Sequence, residues 1–165
     1  LKLKKSQDEI IIGGIHFPSK MGRKDSSQES TVANYVSFIR EIEKERKHNT
    51  TLLFGDFNMS PFESGMIKPE YFNATLSEII ARKSVQNTSF GRNDFFYNPM
   101  WGFLGDKHFD NQQLRKPFST YYFENRTQDS SIIFYNIIDG VIMRASIIDI
   151  FDFDSLAIID KINVA

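Results

Sequence analysis

Two short β-rich runs, EIIIGGI (Glu9 to Ile15) and TLLF (Thr51 to Phe54), bracket one amphipathic segment, and this order restricts the fold more than any other feature. Each run is nearly continuous in apolar residues, as in strands covered on both faces. Between them Val32, Tyr35, Val36, Ile39 and Ile42 recur at helical spacing, with Arg40, Glu41, Lys44 and Glu45 on the opposite face. That periodicity predicts a helix beginning at Ser30, with Ser30 as its N-cap. Arg46, Lys47 and His48 follow at the end where the helix dipole favours positive charge. Strand, helix and strand in this order make a βαβ unit, whose crossover leaves the two strands parallel. Parallel strands deliver their carboxyl ends to one edge of a sheet. His16, after the first strand, and Asp56 and Asn58, after the second, are therefore expected side by side at that edge, where open α/β sheets place their sites.

The remaining elements are weaker in pattern. LKLKK at the N-terminus alternates with period two and is expected to pair as a hairpin with the first strand across Ser6 to Asp8. ATLSEIIARK (Ala74 to Lys83) predicts a shorter helix, and residues 87 to 118, rich in Asn, Gly, Phe and Asp, predict long packed loops. STYYFE (Ser119 to Glu124), SIIFY (Ser131 to Tyr135), IIDGVIM (Ile137 to Met143) and SIIDIFDF (Ser146 to Phe153) read as strands separated by turns.

Composition narrows the class. With 165 residues, 41% hydrophobic and 25% charged, the chain suits one globular domain, and no repeat, linker or second domain is visible in residues 1–165. A formal charge of −1 supplies no global field for a polyanion, so any phosphate-bearing partner has to be met by local charge. There is no cysteine, which excludes disulfides, thiolate metal sites and a cysteine nucleophile. No apolar run is long enough to span a membrane, and LKLKKSQDEI is not a signal-peptide core. Asn-X-Ser/Thr occurs at Asn49, Asn58, Asn73, Asn87 and Asn125, and glycosylation of a functional Asn58 would be ruinous. A cytoplasmic, bacterial setting is the expectation.

Taken alone, LLFGDFNMSP (Leu52 to Pro61) is ordinary, because an Asp-X-Asn after a strand is usually a turn. Its company carries more weight. The order IIIGGIHFPSK, helix, LLFGDFNMSP, loops, STYYFE, NIIDGVIMR resembles the endonuclease/exonuclease/phosphatase superfamily, the deoxyribonuclease I-like phosphoesterases, over nearly the whole chain. The resemblance implies an α/β fold, a four-layer α-β-β-α sandwich of two packed sheets with helices outside. It implies Mg²⁺ or Mn²⁺ as cofactor and a phosphate-ester substrate, such as nucleic acid, phospholipid or inositol phosphate. In that likeness His16 matches the histidine that gives a proton or hydrogen bond to the phosphate or leaving oxygen. Asp56 and Asn58 match the pair that orients water, touches the metal and donates to a phosphate oxygen. Asp139 matches the aspartate that orients a catalytic histidine. Catalytic roles thus fall to His16, Asp56, Asn58 and Asp139, and metal contact to Asp56 and Asn58.

The resemblance also implies a strand bearing an Asn and a strand ending in a metal-binding Glu ahead of residue 1, and a closing Ser-Asp-His motif after residue 165; Glu9 precedes its strand and cannot stand in. The chain is therefore expected to be a partial domain lacking N- and C-terminal segments, inactive or nearly so in isolation, with a non-catalytic scaffold module as the alternative. Other features weigh less. His48 and His108 read as loop histidines, and Asp149, Asp152 and Asp154 lack the glycine and terminal glutamate of a calcium loop, so an exposed strand edge is expected there. Phe95, Phe96, Tyr97, Trp101 and Phe103 read as a core patch rather than a base-stacking platform, since no basic residues alternate with them. Lys20, Arg23 and Lys24 suit either a phosphate-facing loop or a solvated one. Tyr121 and Tyr122 sit where members of the family often carry an aromatic pair near the substrate groove.

Overall fold

A computed structural model describes residues 9–19, 25–83, 86–88, 91–105, 118–126 and 131–159. In chain order the elements are β1 (Ile11–His16), α1 (Asp25–Arg46), β2 (Thr51–Asp56), α2 (Ser64–Ile67), β3 (Ala74–Thr75), α3 (Glu78–Lys83), β4 (Gln86–Thr88), β5 (Gly91–Asn93) and β6 (Phe96–Tyr97). A 3₁₀ turn (Pro99–Phe103) leads on to β7 (Tyr121–Arg126), β8 (Ser131–Asn136), β9 (Asp139–Met143), α4 (Ala145–Ile148) and a second 3₁₀ turn (Phe153–Ser155). The architecture is mixed α/β. One five-stranded mixed sheet has the order β1-β2-β9-β6-β3, and β4-β5 and β7-β8 form separate two-stranded sheets.

The βαβ unit forms as its periodicity requires: β1 and β2 are parallel, and β2 and β9 antiparallel. Alternation along β9 sends Ile142 to one face and Val141 and Met143 to the other, each into its own core. On the first face Val32, Val36 and Ile39 of α1 pack over Ile15, Leu53 and Ile142. The second face is covered by Met100, Ile147 and Ile148, with Phe95, Tyr97 and Phe103 packed against them. Phe96 lies in the first core, so the aromatic stretch is divided between the two cores. Ile39→Val is expected to cost about 0.5–1.5 kcal/mol, the usual loss for one buried methyl, read as a lower urea midpoint at unchanged slope.

Several sequence expectations are corrected. Helix α1 begins at Asp25, so Ser30 is an exposed residue within it and not a cap. The reason is Gln28, which is only 8% exposed: the helix extends upstream of its apolar stripe to bring this polar side chain inward. Ala74 and Thr75 pair with Phe96 and Tyr97 as a strand, and the helix expected from Ala74, α3, starts only at Glu78. Residues 86–88 and 91–93 pair as a hairpin at the start of the stretch, 87 to 118, read as loop. Ser146 to Phe153 is not a strand. Neighbouring Ile147 and Ile148 are both buried, which period two forbids on a one-sided strand and a helical turn allows. Asp152 there accepts from Asp154 N–H at 3.2 Å, and Asp149 pairs with Arg82, so these acids are not a strand edge. His48 does lie in a loop, between α1 and β2, as expected, half-buried with its Nδ1 accepting from Thr50 N–H at 3.2 Å. The LKLKK hairpin, Lys20, Arg23, Lys24 and His108 lie outside the described residues.

The end of the sheet away from His16 is held by a buried ion pair. Arg144 meets both carboxylate oxygens of Glu43 at 2.9 Å and lies over the Phe96 ring, while Thr51 donates to the same carboxylate at 2.7 Å. Every partner of this charge is engaged, which is the condition for keeping one in a core. Among the described residues no helix is long and apolar enough to cross a membrane.

Candidate active site

Register brings three of the sequence candidates into one row. His16 on β1 pairs with Asp56 on β2, and Asp56 pairs with Asp139 on β9. Residues paired across neighbouring strands share a face. Asp139 stands two residues from Val141, so the row lies on the face turned away from α1. His16 is mostly exposed and its Nδ1 is 3.9 Å from Asp56 Oδ2, near enough for attraction and too long for a hydrogen bond.

The polar residues are aimed by the aromatics that follow them. Phe17 and Phe57, each next after His16 and Asp56, are buried with their rings 6.5 Å apart and both packed near Phe72. Backbone bonds fix the strand ends, Phe17 N–H to Asp56 O at 2.9 Å and Phe57 N–H to Ile138 O at 2.8 Å. The chain thus alternates in and out past the end of β2, and GDFN is both a turn and a site edge.

Asn58 completes the turn in the left-handed region, φ 49°, which asparagine tolerates better than most residues. Its N–H donates to Asp56 Oδ1 at 2.8 Å, fixing that carboxylate and leaving Oδ2 toward His16. Its side-chain amide donates to Phe17 O at 2.8 Å. One of the two amide protons expected to serve a phosphate is therefore spent on tying the two strand ends together, and the second proton and Oδ1 are what this side chain has to offer a ligand.

Asp139 is the first residue of β9 rather than an interior one. Burial, and then the Asp56 carboxylate, push its carboxyl above the ordinary aspartate range, against the Thr120 hydroxyl, its own N–H and His16. Thr120 Oγ1 accepts from Ile138 N–H at 2.9 Å and from Asp139 N–H at 3.0 Å, so one hydroxyl holds this corner from three sides. Asp139 faces a cleft of about 390 Å³ lined also by Met100, Ser119, Thr120, Val141 and Leu156.

Three residues of this region were not singled out by sequence. Thr120 precedes a strand in an ordinary position, Gln28 lies upstream of the apolar stripe, and Ser60 donates its hydroxyl to Asn136 Oδ1. Only Ser60, inside LLFGDFNMSP, had a local signal. Among the described residues no group of three or more His, Cys, Asp or Glu is placed to hold a metal ion by itself. Tyr122 and Tyr135 face each other across the β7-β8 hairpin with ring centroids 5.0 Å apart. Compared with protein-family models, curated proteins and solved structures, the chain matches none.

Proposed function

We propose that this chain is the central part of a divalent-metal-dependent phosphoesterase with a four-layer α-β-β-α fold, hydrolysing a phosphate ester by attack of water. The observation that carries the reading is the in-register row of His16, Asp56 and Asp139 on three adjacent strands, with Asn58 one turn away. Ile12 and Phe54 add to it: they are 46% and 48% exposed on the same face as Asp56, an apolar strip of the kind that a second sheet covers.

The donors fit the cofactor. Asp56 Oδ2 and Asn58 Oδ1 are hard oxygens, and Mg²⁺ or Mn²⁺ at phosphoryl sites commonly takes one or two protein groups with water and substrate oxygens completing the shell. When bound, such an ion polarises the phosphate and makes water a better nucleophile at neutral pH. The chain's own groups do the rest. Asp56, held at one oxygen by the Asn58 N–H, is set to orient the attacking water through the other. The second Asn58 amide proton donates to a non-bridging phosphate oxygen without adding negative charge. His16, exposed at the rim, reaches the leaving oxygen and supplies its proton or a hydrogen bond. Asp139, in register with Asp56, is the carboxylate that would orient a catalytic histidine.

The test is hydrolysis of bis(4-nitrophenyl) phosphate in Mg²⁺ by the intact gene product beside its Asp56→Ala variant. A loss of about a hundredfold is expected, within the range for groups that position water or metal. Equal rates would remove Asp56 from the chemistry and the proposal with it.

A further inference from the structure

Gln28 is a polar residue at the start of α1, 8% exposed, with no place in the chemistry above. Its side-chain amide donates to Asn58 O at 3.1 Å and, more weakly, reaches Pro18 O at 3.5 Å. Those two carbonyls belong to the two segments that carry the site, the Asp56 to Asn58 turn and the stretch that follows His16. The Asn58 side-chain amide in turn donates to Phe17 O at 2.8 Å. Two side-chain amides, those of Gln28 and Asn58, therefore bind the strand ends together.

The backbone gives this clamp a task. A non-glycine residue in the left-handed region is held there by its surroundings, and Asn58 at φ 49° points its carbonyl at Gln28. If that bond is lost, the turn loses a restraint on the conformation that aims both the Asn58 N–H at Asp56 and the Asn58 side chain along the rim. We infer that Gln28 is a positioning residue: the start of α1 reaches behind the site and locks Asn58 in the orientation needed to meet an anionic phosphate. The inference rests on the phosphoesterase reading for its ligand and on the hydrogen bonds alone for its geometry.

The experiment compares Gln28→Met, similar in length but without donors, with Ile39→Val, a variant of the same helix that carries a modest stability loss and whose apolar side chain makes no hydrogen bond to either segment. In the wild type, the Asn58 side-chain amide proton bonded to Phe17 O is expected at an NMR shift displaced from that of a free asparagine. Gln28→Met should move the Asn58 side-chain amide signals toward their free-asparagine positions and weaken inorganic phosphate binding, read from shifts at the rim, by about five- to tenfold, the usual consequence of one lost hydrogen bond. Ile39→Val should do neither. Unchanged Asn58 signals in Gln28→Met, or equal changes in Ile39→Val, overturn the inference. Should Gln28→Met fail to fold, the wild type still decides: rapid solvent exchange of the Gln28 side-chain amide overturns the clamp, and slow exchange supports it. The amide readouts need no ligand. Absence of any phosphate-induced shift at His16, Asp56 and Asn58 in the wild type would therefore count against the phosphoesterase reading and leave the clamp to be decided on its own.

Discussion

Asp139→Asn is expected to make the protein more stable at neutral pH while reducing phosphodiester hydrolysis by the intact gene product about 10²–10⁴-fold, the range for a group in acid–base chemistry. The stability half follows from the sign of the shift. Burial and the Asp56 carboxylate raise the Asp139 carboxyl, so the folded state holds this proton more tightly than the unfolded chain does. The stabilisation this gives is fully present below the ordinary aspartate value, about 4. It is lost as pH rises through the raised value, and stays lost above it. Asparagine removes the charge but keeps an oxygen for the Thr120 hydroxyl, and its amide protons face the Asp56 carboxylate instead of repelling it. The urea midpoint of the variant should match wild type at the acid end and exceed it at neutral pH, with the difference growing across that window. A residue kept for stability would show the reverse, and a variant both less stable and fully active would end the functional reading of Asp139.

How much of this was legible in the sequence depends on how far each contact reaches. The βαβ unit was plain because its helix and strands each follow one period, and parallel pairing then forces His16 beside Asp56 without further information. That Phe57 would point inward between two polar residues is the same alternation continued past the strand. Thr120 was not legible, because its value lies in meeting Ile138 and Asp139 across a hairpin, and nothing around Ser119 to Tyr121 signals the encounter. Gln28 escaped for a related reason: the helix start was placed by apolar spacing, which begins at Val32, whereas what buries Gln28 is a pair of carbonyls from other segments. Glu43 and Arg144 are the extreme case. Each looks like surface charge in its own neighbourhood, and only the fold brings them together in the core. Ser146 to Phe153 failed differently, since a run of isoleucines fits either period until the packing on both sides is known.

Gly55→Ala is expected to have the largest effect on folding of the glycine-to-alanine changes at residues 13, 14, 55, 65, 102, 105 and 140. Gly55 has φ 134°, a conformation that side-chain-bearing residues rarely adopt, and a Cβ there would overlap the Ile15 carbonyl oxygen and stand 3.0 Å from the Ile15 carbonyl carbon and nitrogen. The obstacle is backbone of the paired strand, so relief requires β1 and β2 to part. A cost above about 4 kcal/mol belongs to this kind of conflict, against a total stability of roughly 5–15 kcal/mol. Circular dichroism and thermal melting should find the variant largely unfolded or melting far below wild type. Two other glycines serve as controls. At Gly140 a Cβ would meet Met100 Cγ at 2.7 Å, a flexible side chain that can yield, and at Gly102 it would meet nothing within 4 Å, so Gly140→Ala should lose less and Gly102→Ala close to nothing. The absence of a side chain at Gly55 lets the Ile15 backbone come this close, and the same approach sets His16 within 3.9 Å of Asp56. A Gly55→Ala protein that melts within a few degrees of wild type would mean that the strands tolerate a wider separation, and the shared rim on which the proposed chemistry depends would lose its geometric basis.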